Sequence, residues 1–182
     1  MSSGRAGRRR SVAGWATAVF VTAFVLALIA APPFVGDGLR HVIMAGFAGI
    51  CHQIPLRSPH VDGIQLAVCH RCLGIYAALA AAALVFPALV RFDAYVRRNA
   101  AILIAAAVLV PGIDWAAETA GLWTNTPASR LLTGAVFGSV AGYLLTGAVM
   151  GLFADGKEGA DIGGERPSHP IEQAPCEAGA GK

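Results

Sequence analysis

The sequence predicts an all-α protein, a polytopic membrane helix bundle with four spanning helices and one short interfacial or re-entrant helix. Of its 182 residues, 55% are hydrophobic and only 14% are charged, whereas soluble domains have about 25% charged residues. The mean hydropathy is correspondingly high, at +0.60. The apolar residues also form four long runs separated by short polar segments, as expected for spanning helices.

The chain begins with a basic segment, residues 1–11, which we expect to be disordered and cytoplasmic. Residues 12–35 contain no charge and predict the first spanning helix, which ends at Pro32 and Pro33. A cleaved signal peptide is the alternative, but its apolar core usually has about 7–15 residues and ends at an Ala-x-Ala-like site. The run here is longer, and residues 29–33 form a poor cleavage site. We therefore expect an uncleaved helix.

The next apolar segment, residues 39–50, is too short to span a bilayer and predicts a helix that lies in the interface or dips back into the membrane. It is followed by a loop at 53–68 that is rich in proline and glycine. Residues 73–90 are uncharged and predict the second spanning helix. The Cys/His-rich loop at 36–72 therefore precedes this helix.

Two more apolar runs, residues 99–117 and 131–154, predict the third and fourth spanning helices, joined by a polar turn at 119–129. The membrane bundle thus covers residues 12–154. The remaining residues, 155–182, are rich in Gly, Glu, Asp and Pro and predict a disordered tail.

The distribution of arginine predicts the orientation. With four spans, the basic residues 1–11 and the arginine cluster at 91–98 lie on the same side, which the positive-inside bias makes cytoplasmic. If residues 39–50 also spanned the membrane, the arginine cluster at 91–98 would lie outside, against this bias. We therefore expect a multi-pass protein of the cell (inner) membrane, with both termini cytoplasmic and the loop at 36–72 outside. The net charge of +3 is small, and half of the 14 basic residues lie in these two clusters, which argues against nucleic-acid binding.

Three of the four cysteines lie close to one another in the exported loop. Cys69 and Cys72 stand about one turn apart at a helix start, where the helix dipole and Arg71 favour a thiolate. Cys51 and His52 complete a set of three thiols and one imidazole. Such a set suits a closed zinc site or another soft transition metal. A dithiol redox couple and a structural disulfide are the alternatives, because an exported loop is in an oxidising compartment.

Charged residues predict a second, polar site on the same membrane face. Asp114 lies near the outer end of the third helix, and Arg130 at the start of the fourth is its expected partner, with Arg57 and Arg71 as alternatives. Glu118, one turn further out, is expected to be solvated. The excess of arginine could also hold an anion such as a lipid phosphate.

Small residues in the fourth helix predict close helix packing. Gly134, Gly138 and Gly142 recur every four residues, so that another helix can approach along this stripe. The alanine-rich residues 77–83 of the second helix are the expected partner.

Two motifs, Cys-His-Gln-Ile-Pro-Leu-Arg-Ser at 51–58 and Cys-His-Arg-Cys-Leu-Gly-Ile-Tyr at 69–76, are long and specific. They are followed by Pro111, Asp114, Asn125, Arg130 and Gly134. Over about residues 40–142, the chain resembles a family of predicted bacterial membrane proteins, domain of unknown function 2085, although Asn125 lies further before Arg130 than the pattern of that family implies. The resemblance implies a membrane protein with a Cys/His site, and no established activity.

The sequence therefore predicts an integral membrane protein with a metal-binding Cys/His site at its outer face. A membrane thiol–disulfide oxidoreductase coupled to a quinone is the alternative, although such proteins generally have a second cysteine pair and only Cys51 is available here. A lipid-handling or channel protein that uses the arginines and Asp114 is a third hypothesis. The sequence assigns no substrate.

Overall fold

A computed structural model describes residues 3–155 of the chain, and the side chains of residues 12–153 among them. The predicted tail therefore lies almost entirely outside the described residues. The helices are α1 (Ser3–Ala30), α2 (Asp37–Ala48), α3 (His70–Leu89), α4 (Asp93–Arg98), α5 (Ala100–Thr119) and α6 (Pro127–Asp155). Helix α1 begins within the basic segment, so residues 3–11 are helical and the expectation of disorder there is wrong.

Within residues 3–155, four helical segments are long and apolar enough to cross a membrane: Val12–Ala30, His70–Arg98, Ala100–Thr119 and Pro127–Phe153. Helix α2 has 12 residues, about 18 Å at 1.5 Å per residue, and is too short to do so. The predicted all-α fold with four long apolar helices is confirmed; beside the expected short helix, α2, there is a second short helix, α4, which the sequence did not predict.

The segment between α2 and α3 contains a small hairpin, where the sequence predicts only a loop. Strands β1 (His60–Val61) and β2 (Ile64–Gln65) pair antiparallel, joined by Asp62 and Gly63 at φ values of 50° and 77°. An Asp-Gly pair favours this kind of two-residue turn because both residues tolerate a positive φ. The Asp62-Gly63 pair could therefore have predicted the hairpin from the sequence.

Helices α3 and α6 pack with their backbones almost in contact. A Cβ atom at Gly134 would lie 2.1 Å from the carbonyl oxygen of Arg71, and one at Gly138 would lie 2.2 Å from that of Ile75. At Gly142 it would meet Ala82 Cβ at 2.9 Å. Glycine is therefore required along this stripe. The predicted close approach to the second helix is confirmed.

Helix α1 is joined to α3 by a hydrogen bond to a carbonyl oxygen that a proline in α3 leaves without its usual helical donor. Pro87 has no N–H to donate to the carbonyl four residues earlier, at Ala83. The indole Nε1 of Trp15 donates to that carbonyl instead, at 2.9 Å. Within a bilayer each backbone oxygen needs a partner in the protein, and this contact provides one.

One end of the bundle brings together the Cys/His loop and the charged ends of α3, α5 and α6. There the N–H of Ala67 donates to the carbonyl oxygen of Ile29 at 3.1 Å, which ties the Cys/His loop to the end of α1. Ile29, Cys51 and Val68 form a buried apolar cluster beneath this end. The first turn of α3, the last turn of α5 and the first turn of α6 also meet there. The fold therefore places the predicted site residues at a single end of the bundle.

Candidate functional site

Three cysteines form a compact thiol cluster at this end. The Sγ atoms of Cys51, Cys69 and Cys72 all lie within 4.8 Å of one another, and all three residues are free cysteines. Cys69 caps the N-terminus of α3 with extended backbone, and Cys72 lies in the first turn, so their spacing places both sulfurs on the same side. Cys51 follows α2 and is 5% exposed.

A strained residue fixes the turn that carries Cys51. Gln53 has φ at 48°, a conformation that is uncommon for residues other than glycine. Its side-chain amide donates to the carbonyl oxygens of Met44 at 2.7 Å and Ala67 at 2.9 Å. The side chain of Gln65 donates in turn to the carbonyl oxygen of Gln53 at 2.8 Å. These bonds hold Cys51 against α3, a role for Gln53 that was not predicted from the sequence.

The local environment favours a thiolate at the helix start. The backbone N–H of Cys69 donates to Cys51 Sγ at 3.2 Å. A hydrogen bond from the Cys72 side chain lowers the pKa of Cys69 from 9.0 to about 5. Hydrogen bonds to sulfur stabilise the charged form, and thiolates are the form of cysteine that binds metals and attacks disulfides.

The thiol cluster has suitable dimensions for a metal ion. Tetrahedral zinc with Zn–S bonds of about 2.3 Å requires sulfurs about 3.8 Å apart, which agrees with ligand atoms within 4.8 Å of one another. The three cysteines could therefore hold a metal ion. The fourth predicted ligand, His52, is exposed and lines the adjacent cavity, but within the described residues it is not among the ligand atoms that meet this distance.

The carboxylate of Asp114 pairs with Arg71, and not with Arg130 as expected from the sequence. Asp114 is buried, with 7% of the residue exposed. The reason for the change of partner is the register of the helices. Arg71 contacts α6 at Gly134, which is level with Asp114, whereas Arg130 lies one turn further out, level with Glu118. The expected Asp114–Arg130 pair is therefore wrong, although both residues belong to the same cluster of charges.

Glu118 belongs to this cluster and is not solvated, which corrects the expectation from the sequence. Its side chain is only 14% exposed and pairs with Arg130 and, at 3.3 Å, with Arg57. The amide nitrogen of Asn125 donates to Glu118 Oε2 at 3.1 Å and to Asp114 Oδ2 at 2.8 Å. Asn125 thus bridges the two carboxylates despite its altered spacing in the motif. The burial of Glu118 could have been predicted from Arg57 in the Cys/His loop and Arg130 at the start of α6, because both are positive charges at the same end of the bundle.

A cavity of about 340 Å³ joins the thiol cluster to the arginines. Its lining residues come from the Cys/His loop, the start of α3, the end of α5 and the start of α6: Ile50, Cys51, His52, Gln53, Ile54, Arg57, Cys69, Arg71, Cys72, Ile75, Trp115 and Arg130. Of the predicted site residues, only Asp114 does not line this cavity. It is paired with Arg71, which does.

Comparison with known proteins places this site within a family. The model of the family described as "Predicted membrane protein (DUF2085)" matches residues 51–154, which include every site residue predicted from the sequence. The uncharacterized protein MJ1492 of Methanocaldococcus jannaschii is 33% identical over 97 residues, which are 53% of this chain and 61% of that protein. No solved structure matches the chain. The chain therefore belongs to the DUF2085 family of predicted membrane proteins.

Proposed function

We propose that this protein binds a transition-metal ion, with zinc the best fit, through Cys51, Cys69 and Cys72. The observation that carries the proposal is the separation of the three sulfurs, all within 4.8 Å of one another at a helix start. Thiolate ligands suit zinc and other soft metals. His52 is the fourth ligand in this proposal, because it follows Cys51 directly and lines the same cavity.

The surroundings of the sulfurs support a metal site. Metal binding requires deprotonated thiols, and the lowered pKa of Cys69 reduces the cost of losing that proton. The N–H of Cys69 that donates to Cys51 Sγ is a typical supporting contact for a metal thiolate. Ile29 and Val68, both fully buried, close the inner side of the cluster. A small molecule could reach the metal through the cavity that these residues line. Such access suits a protein that passes the metal on, or one in which a substrate binds to the metal.

In the same proposal the site faces the outside of the cell membrane. The arginine cluster at 91–98 follows the end of α3 that is opposite to Cys69. Positively charged loops remain in the cytoplasm, so the thiol cluster lies on the outer face and both termini lie inside.

Metal analysis with thiol titration tests the proposal. Purified protein should contain close to one equivalent of zinc, and the three site thiols should be released for titration only after the protein is unfolded with a chelator. Cys69→Ser and Cys72→Ser should lose the metal, because two sulfur ligands cannot complete the set. Cys176→Ser, outside the described residues, is the matched control and should retain it. Metal-free protein with reduced, titratable Cys51, Cys69 and Cys72 would contradict the proposal.

A second candidate is a thiol–disulfide oxidoreductase, favoured by the lowered pKa of Cys69 beside Cys72. A donor dithiol would reduce a Cys69–Cys72 disulfide, and the two thiols would then pass two electrons and two protons to a quinone. Only Cys51 is available in the described residues as a further exchange partner. Quinol formation from a dithiol donor that depends on Cys69 would establish this activity. Its absence with several quinones, in metal-free protein, would exclude it.

A further inference from the structure

The arginine side of the cavity has an excess of positive charge. Arg57, Arg71 and Arg130 all line it, whereas only two carboxylates, Asp114 and Glu118, pair with them. Among the described residues that line the cavity or pair with its arginines, one positive charge is therefore unbalanced. An uncompensated charge close to the membrane is costly and indicates a functional partner of opposite sign.

The arginines also have hydrogen-bond capacity that the protein does not use. Each guanidinium group has five N–H donors, and each of the three pairs with its carboxylate through one nitrogen, Nη2. Within the side chains that the structure describes, the buried Nε of Arg71 has no hydrogen-bond partner. Arg57 is 45% exposed and makes the longest of the three ion pairs. The wall formed by these arginines can therefore receive a ligand with several acceptor oxygens.

The lining of the cavity also includes apolar residues. Ile50, Ile54 and Trp115 line it and are 62%, 41% and 55% exposed. Ile75, one turn beyond Cys72 in α3, extends this lining along the spanning part of the helix. Trp115, near the end of the spanning helix α5, is suited to the boundary between headgroups and acyl chains, and the exposed isoleucines add apolar surface beside it. A ligand that fills the whole cavity would therefore have a polar anionic end and an apolar chain.

We propose that this cavity binds the phosphate group of an amphiphile, with the phosphate on the three arginines and the chain along Ile50, Ile75 and Trp115. Phosphate is favoured because its oxygens can accept bidentate hydrogen bonds from several guanidinium groups at once. The subsite is built from the arginines and does not require a metal on the cysteines. It is therefore testable in chelator-treated protein, whatever the outcome for the thiol cluster.

The test is equilibrium binding to purified, chelator-treated protein with three probes: dihexanoyl phosphatidic acid, dihexanoylglycerol and inorganic phosphate. We expect saturable binding of phosphatidic acid, at least about tenfold tighter than binding of either other probe. Dihexanoylglycerol has the same chains without the phosphate, and inorganic phosphate has no chain. Equal binding of dihexanoylglycerol would overturn the phosphate subsite, and equal binding of inorganic phosphate would overturn the amphiphile.

Variants locate the binding. Arg57→Gln should weaken phosphatidic acid binding about tenfold, the loss expected for one charge-assisted hydrogen bond. Arg57→Lys should show a smaller loss, since it retains the charge without the planar fork. The matched control is Arg98→Gln, an exposed arginine at the opposite end of the bundle, which should bind normally. Unchanged binding by Arg57→Gln, or an equal loss in Arg98→Gln, would overturn the assignment.

Discussion

The close packing of α3 and α6 can be tested by adding a single methyl group. In Gly134→Ala the new Cβ would lie 2.1 Å from the carbonyl oxygen of Arg71 and 3.2 Å from the backbone nitrogen of Ile75. Real Cβ atoms essentially never approach other atoms closer than 3.0 Å. Because the atom in the way belongs to the backbone, no side-chain rotation relieves the clash. The two helices must separate by about 1 Å at this level.

The expected cost follows from that separation. Overpacking that displaces backbone costs about 1–3 kcal/mol, and occasionally more. A gap of about 0.5–1 Å also removes a quarter to a half of the attraction between atoms along the stripe. We therefore expect Gly134→Ala to lower the free energy of unfolding by at least about 3 kcal/mol. Gly147→Ala is the control on the same helix, because its Cβ would meet only the Phe86 ring, at 3.7 Å.

The assay is detergent-induced unfolding of the two variants and the wild-type protein in bicelles, followed by circular dichroism. Gly147→Ala should be as stable as the wild type or slightly more stable, since alanine favours helix over glycine by about 1 kcal/mol. Gly134→Ala should unfold at a clearly lower detergent fraction. Equal stability of the two variants would refute the close approach of α3 and α6.

Three further predictions concern a hydrogen bond, a buried carboxylate and a thiol. Trp15→Phe should lower the free energy of unfolding by about 1–3 kcal/mol, because it removes the donor to the carbonyl that Pro87 frees. In a Pro87→Ala background, where the helix supplies that donor, the loss should be much smaller; an equal loss would contradict the pairing. Glu118→Gln should cost about 1.5–3 kcal/mol, more than Asp37→Asn, whose side chain is 84% exposed; equal costs in thermal unfolding would contradict the buried network. In metal-free protein, the alkylation rate of Cys69 should change little between pH 8 and pH 6, because its pKa of about 5 keeps it a thiolate; a fall of about tenfold per pH unit would indicate an ordinary thiol.

The sequence predicts the helices well because the bilayer imposes a simple rule. A run of about 20 apolar residues must be helical to satisfy its backbone in lipid. The glycine stripe at 134, 138 and 142 was equally informative, since glycine at every fourth position has few explanations other than close packing. The start of α1 at Ser3 was missed, because a basic segment carries no apolar period that would indicate a helix.

The pairing of charges was predicted less well. The sequence places Asp114 and Arg130 at the same end of the bundle, but it does not contain the register between α5 and α6, which is set by side-chain contacts between distant residues. One helical turn decides that Asp114 meets Arg71 while Arg130 meets Glu118. Gln53 was missed for a related reason: its left-handed backbone depends on acceptors nine and fourteen residues away.

The measurement that tests the account most directly is zinc X-ray absorption of the zinc-loaded protein. The three-cysteine site with His52 predicts a first shell of three sulfur atoms at about 2.3 Å and one nitrogen at about 2.0–2.1 Å. Cys51→Ser should reduce the sulfur count to two in any zinc that remains bound, while Cys176→Ser should leave the spectrum unchanged. A first shell made only of nitrogen and oxygen, or a sulfur shell unaffected by Cys51→Ser, would contradict the metal centre proposed here.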